Sequence, residues 1–156
     1  MKFAVSAEVG PIRLPNKSSL QTLYFQEPAG RFGLGHILGI SAFDEDLDRL
    51  EKRGVGRWRC DLTNNDALTW TNRVYEIFGL PNETRITREE AVSRYRDHSL
   101  GVLERLRTYA INRKCGFILD AEINPKDDRS HWIRILAAPV VDSGRVIALH
   151  GFKRVL

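Results

Sequence analysis

Only one methionine, Met1, and two cysteines, Cys60 and Cys115, occur in the 156 residues. No CxxC and no cysteine–histidine spacing surrounds the cysteines, so a structural zinc is excluded and both read as small buried residues of a reducing compartment. Long apolar runs are missing too. Nothing approaches the roughly 20 residues of a membrane-crossing helix, and the opening MKFAVSAEVGPIRLPNKSS is too interrupted for a secretory leader. The expectation is a cytoplasmic protein with no membrane partner. A stripe of one charge is also absent. Lys and Arg number 24 against 20 Asp and Glu, for a net +4, but Arg57, Arg59, Arg73, Arg85, Arg88, Arg94 and Arg96 are interspersed with acids and apolar residues. That pattern makes a solvated surface, and nucleic acid is not an expected partner.

Catalytic constellations are equally scarce. His36, His98, His131 and His150 sit apart in the sequence, so no metal set suggests itself. Asp44, Glu45, Asp46 and Asp48 fall in the first turns of a helical pattern, and Asp127 and Asp128 fall in a turn. The glycines at 33, 35 and 39 do not make the GxGxxG fingerprint of a phosphate loop. An enzyme is not expected.

What is present reads as one domain with an extension. Residues 1–40, with Pro11, Pro15, Pro28 and the tract GRFGLGHILGI, show no sustained period and are expected to be an N-terminal arm. Residues 41–53 are expected to form an amphipathic flanking helix, with Ser41 as cap, Asp44 at capping-box spacing, and Phe43, Leu47 and Leu50 on one face. From Gly54 the chain turns regular. GRWRCDL and ALTW alternate as two strands around the turn TNND; TNRVYEIFGLP is a helix with Thr71 as cap and Gly79 as stop. TREEAVSRY is a short helix with a Thr87–Glu90 capping box, and SLGVLERLRTYAINRK a longer one ended by Gly116. FILDAEI, HWIRILAAPVV and RVIALHGF then alternate as three strands. Strand, strand, helices and three strands in that order give an α+β fold with an antiparallel sheet and its helices on one face.

Residues 54–156 resemble a PAS domain, of the subgroup whose first strand carries Gly-x-Trp-x-x-Asp. The residues concerned are Gly56, Trp58 and Asp61 in GRWRCDL; Trp70, Tyr75, Phe78, Gly79 and Leu80 in LTWTNRVYEIFGLP; Trp132 in HWIR; and Gly144 and Gly151 in SGRVIALHGF. The resemblance implies a five-stranded antiparallel sheet of order 2-1-5-4-3 and a role in sensing or protein contact, without catalysis. Three departures stand out. The family's His-Pro-x-Asp is YRDH here, at Tyr95 to His98; the terminal Asp-Ile-Thr is KRV at Lys153, Arg154 and Val155; and Glu122 replaces the arginine common on the third strand, which puts a family-like salt bridge across the sheet in doubt. No LOV-type run around a central-helix cysteine is present to hold flavin. Nor does the helix from Ser99 to Lys114 carry a histidine to ligate heme. No cofactor is expected.

If the core encloses a cavity, its lining is expected from Trp58, Cys60, Trp70, Ile77, Phe78, Leu103, Leu106, Phe117 and Leu119, which would suit an apolar small molecule, with few polar groups to orient it. The last two strands are apolar on both alternations, so the outer face of the sheet should be covered. Interface candidates are Phe43, Leu47, Leu50, Trp132, Leu136, Ile147 and Leu149, in a homodimer or under the chain's own flanking helix. The functional expectation is a non-enzymatic regulatory module that dimerises and contacts a separate signalling protein. A small-ligand sensor is the alternative, and an enzyme on a similar α+β scaffold a distant third.

Overall fold

The structure, a computed structural model, describes residues 25–27, 30–35, 47–125 and 129–156. Eleven elements follow in chain order: β1 (Phe25–Glu27), β2 (Gly30–Gly35), α1 (Leu47–Lys52), β3 (Val55–Asp61), β4 (Ala67–Trp70), α2 (Asn72–Ile77), α3 (Arg88–Val92), α4 (Asp97–Arg113), β5 (Gly116–Ile123), β6 (His131–Asp142) and β7 (Arg145–Val155). The strands form one antiparallel sheet of order β1-β2-β5-β6-β7-β3-β4. Its last five members, numbered from β3, stand in the order 2-1-5-4-3 that the resemblance implies.

The arm is where the architecture departs most from the sequence reading. Part of it is a hairpin that extends the sheet, with β2 paired to β5 through Phe32↔Leu119, Gly33↔Ile118 and Leu34↔Phe117. Three glycines in six residues of β2 hid the strand, since glycine has no side chain from which to read an alternation. Of the flanking helix, Leu47–Lys52 is described; Ser41, Phe43 and Asp44 lie outside the described residues, and for Leu47 and Leu50 the backbone alone is described.

Alternation along the strands sets two faces. Phe117, Leu119, Ala121 and Ile123 of β5, Ile133, Ile135 and Ala137 of β6 and Leu149 of β7 join Val74, Ile77, Phe78, Val102, Leu106 and Ala110 of the helical layer in the main core. Leu149 therefore points inward, and its assignment to an outer-face interface is corrected: β7 is bulged against β6 at Val140/Val141, which spoils a parity count begun at the strand's start. On the opposite side Ala138 and Phe152 cluster with half-buried Leu136 and Val55. Ile118, Ala148 and Asp120 on that side are also buried within the single chain, whereas Trp132 and Ile147 are half-buried.

Local hydrogen bonds refine the helix ends. Thr87 and Glu90 form the expected capping box. Thr71 precedes α2, but its hydroxyl accepts from the Arg57 amide at 2.9 Å instead of capping the helix. The Thr71 amide donates to the Arg57 carbonyl at 3.0 Å, so Thr71 continues the β3–β4 ladder by one step. Helix α4 starts two residues early, at Asp97, and ends at left-handed Lys114, leaving Gly116 to open β5. Salt bridging across the sheet survives the loss of the family's arginine: Asp120 of β5 takes Arg134 of β6 through two hydrogen bonds, 2.7 and 3.0 Å.

Two motif glycines are explained by close approach. A Cβ on Gly56 would lie 2.5 Å from Cγ2 of Val74, so the bare backbone of β3 is what admits α2. At Gly151 a Cβ would run into the carbonyl oxygen of Leu136. Gly151→Ala should lower stability by about 3 kcal/mol or more, because backbone on both β6 and β7 must shift. Differential scanning calorimetry checks this, with Gly101→Ala as the contrasting substitution, since Gly101 is an exposed residue of α4 where a Cβ would meet nothing within 4 Å.

Candidate functional site

Strand β7 is held on both sides, Lys153 lying opposite Gly56 of β3 and Ile135 of β6. Counting by twos from core residue Leu149 through Gly151 puts the Lys153 side chain on the inner face. Its Nζ lies 4.9 Å from the ring centroid of Phe78, 5.1 Å from Trp58, 5.5 Å from Trp70 and 5.9 Å from Tyr95. The β3–β4 hairpin supplies the two indoles, opposite each other in register. Phe78 closes α2 and Tyr95 follows α3. The rings also support one another: Trp70 stacks on Phe78 at 4.9 Å and meets Tyr75 edge-on at 5.2 Å, while Phe78 meets Tyr95 edge-on at 5.8 Å.

A cavity of about 60 Å³ opens beside this lysine. Of the residues expected to line one, Trp58, Cys60, Trp70, Leu103 and Phe117 do so; Ile77, Phe78, Leu106 and Leu119 are in the core but not on its wall. The wall also holds Tyr95, Arg88, Arg107 and Lys153. Polar groups facing the cavity are therefore not scarce, contrary to the sequence reading. Lys153 could have been found by extending the alternation of RVIALHGF one residue past its end at Phe152. Arg107 was detectable as the α4 residue one turn from Leu103, on the edge of the inner stripe.

Charge in the wall is partly compensated. Arg88 pairs with Glu104, and Arg107 with Asp66 at 2.9 Å. Asp66 sits in the β3–β4 turn at positive φ, a conformation that aspartate tolerates better than most residues. The Cys60 thiol lies 3.7 Å from the Asp66 carbonyl, and burial, then the Asp66 carboxylate, push its pKa up. Nε of Arg107 and Nε1 of Trp70 are buried without hydrogen-bond acceptors.

Lys153 itself has no carboxylate partner among the described residues and is 7% exposed. A cation over a ring gains about 0.5–2 kcal/mol, which four faces do not raise enough to offset the loss of hydration. Burial accordingly pulls the lysine pKa from 10.5 down to about 7, with nearby Arg88 pushing the same way. Burial raises the hydroxyl pKa of Tyr95.

Elsewhere, the YRDH segment is tied to the end of β5: the Arg96 amide donates to the Glu122 carbonyl and the Ser99 hydroxyl accepts from the Glu122 amide. His98 Nε2 lies 3.1 Å from the Glu122 carboxylate, and His98 is not on the cavity wall. No group of three His, Cys, Asp or Glu among the described residues could hold a metal. No described helix is long and apolar enough to cross a membrane.

No family model and no curated protein matches the chain. Solved structures do. The N-terminal domain of a diguanylate cyclase with PAS/PAC sensor from Marinobacter aquaeolei superposes with a TM-score of 0.57 at 19% identity, over 64% of this chain and 92% of that one. A PAS domain from Colwellia psychrerythraea gives 0.55 at 13% identity, over 71% and 98%. An RNA-binding light-oxygen-voltage receptor gives 0.57 at 10% identity over 65% of this chain, which spans only 29% of that receptor.

Titration of the boxed lysine makes a stability prediction. Between pH 7 and 10.5 the unfolded chain holds a proton that the folded chain lacks, so this group makes stability rise with pH in that window. Lys153→Met should raise stability at pH 7 by about 2 kcal/mol or more, since the apolar chain fits without a desolvation penalty. It should also flatten the rise between pH 7 and 9, a range that stops short of tyrosine ionisation. Urea melts of both proteins at pH 7, 8 and 9 measure the difference.

Proposed function

For a chain that folds as a PAS domain around such a cavity, we propose a sensory and signalling role in which the interior binds a small carboxylate. The observation that carries this is that three residues lining one cavity carry buried donors: Lys153 its amine, and Trp70 and Arg107 an indole N–H and an Nε–H that have no acceptors. Unsatisfied buried donors cost about 1–3 kcal/mol each, and a ligand bearing acceptor oxygens removes that cost when it enters. Size limits the candidates. A dry engineered cavity of about 150 Å³ takes benzene, so about 60 Å³ suits only a handful of non-hydrogen atoms.

In this reading the module acts without catalysis, and its output is a contact with a separate signalling protein. The PAS/PAC sensor domain of the Marinobacter aquaeolei diguanylate cyclase, which shares the fold, supports a sensory role by analogy. Homodimerisation through the sheet's outer face finds less support, because Ile118, Ala138, Ala148 and Phe152 are already buried within one chain.

Glycolate is a suitable probe. At about ten times its Kd it should raise the thermal midpoint by about 3–5 °C in the native chain. Lys153→Met should lose that rise. An equal rise in the variant would place binding elsewhere, and no rise in either protein at any concentration would reject the carboxylate.

A further inference from the structure

We propose that Lys153 is a covalent capture group, its Nζ condensing with the carbonyl of a short oxo acid to form an imine inside the aromatic box. The inference rests on the cavity being a small-carboxylate site, and it adds a bond to that reading.

Geometry carries the proposal. The amine ends in the cavity and not at the surface, and every group that faces it is known. Trp58 and Cys60 come from β3, Trp70 from β4, Phe78 from the end of α2, Arg88 and Tyr95 from α3 and the turn after it, and Arg107 from α4. None of these is a carboxylate. The acids paired with the wall's guanidinium groups, Glu104 of α4 and Asp66 of the β3–β4 turn, are engaged by Arg88 and Arg107. Nothing therefore holds the amine as a salt bridge, and a lysine desolvated among rings and guanidinium groups is an activated nucleophile. With its pKa near 7, about half of the group is the free amine at neutral pH, roughly a thousand times the fraction in an ordinary lysine.

The reaction needs no oxidant, reductant or metal. The Nζ lone pair attacks the carbonyl carbon, and one N–H proton passes to the carbonyl oxygen to give a carbinolamine. The carbon–oxygen bond then breaks, the oxygen leaves with the second N–H proton as water, and the nitrogen lone pair completes the C=N bond. When the neutral imine takes a proton from water, its positive charge lies over the same four ring faces that surround the amine. The carboxylate of the oxo acid would be taken by the Arg107 Nε–H and the Trp70 indole N–H, the two donors without acceptors. Glyoxylate, with five non-hydrogen atoms by its formula, has a carbonyl next to a carboxylate and is the natural probe.

The test is reductive trapping of the native full-length chain with glyoxylate and cyanoborohydride at pH 7, followed by peptide mapping. Lys52 and Lys114, both exposed, are internal references in the same tube. Lys153 should gain a carboxymethyl group about tenfold or more faster than either reference. Glycolate, which has the carboxylate but no carbonyl, should slow that reaction and leave the references unchanged. Modification of Lys153 no faster than Lys52 and Lys114 overturns the proposal, as does fast modification that glycolate does not slow. If trapping fails while glycolate still raises the thermal midpoint of the native chain, the imine falls and the carboxylate site stands. If both fail, both readings fall together.

Discussion

The inward position of Lys153 follows from strand register, which leaves the side chain no alternative. A strand paired on one side can twist its end away from the sheet and carry a charge to water. β7 is paired from Ala148 to Arg154 with both β3 and β6, so in that stretch each residue is committed to a face by its parity. Leu149 must be inside to complete the core, and Lys153, four residues on, must then be inside as well. The aromatic cluster is the response to that constraint. Four π faces and no carboxylate surround the amine, which favours a poorly hydrated, weakly basic group over a paired ion.

The construction around it depends on what is missing as much as on what is present. Gly56 lies opposite Lys153 on β3, and its lack of a side chain lets Val74 and the start of α2 settle on the strand. That seating brings Phe78, one turn after Val74, over the end of the lysine. Thr71 fixes the same junction from the other side by bonding Arg57 with both its hydroxyl and its amide. Helix α4 contributes differently, through Arg107, whose charge is balanced by an aspartate in the hairpin turn 41 residues earlier in the chain. Hairpin, α2 and α4 thus meet at one small volume, and each is anchored there by a different kind of interaction.

Much of this was legible in the sequence, because amphipathic periods carry it. The alternations around Trp58 and Trp70, the Thr87–Glu90 box and the three closing strands needed no tertiary information, and the five-strand order followed from the resemblance they support. The failures share a cause: each involved a residue whose role is set by a partner distant in sequence. Gly33 and Gly35 read as irregular arm until β5 is placed beside them. Thr71 looks like a cap until β3 supplies Arg57. Leu149 was assigned to the wrong face because the bulge at Val140/Val141 shifts the pairing of β6 and β7. Lys153 entered the sequence reading only as the first residue of KRV, since nothing in a charged residue after an apolar strand marks it as buried. Five of the nine residues named for the wall nevertheless stand on it, three of them from the hairpin, where aromatic and sulfur side chains at inward positions have few other places to go.

The hairpin of β1 and β2 gives the sheet two unlike ends. At one end β4 cannot separate from β3 without removing Trp70 and Leu68 from the cavity wall. At the other, β1 and β2 can detach as a pair and leave five contiguous strands, with every wall residue still in place. The ladder that such a departure would break runs along the backbone of Phe117, whose side chain faces the cavity. One residue is therefore both a piece of the interior and a rung of the ladder that joins the hairpin to the five-stranded sheet.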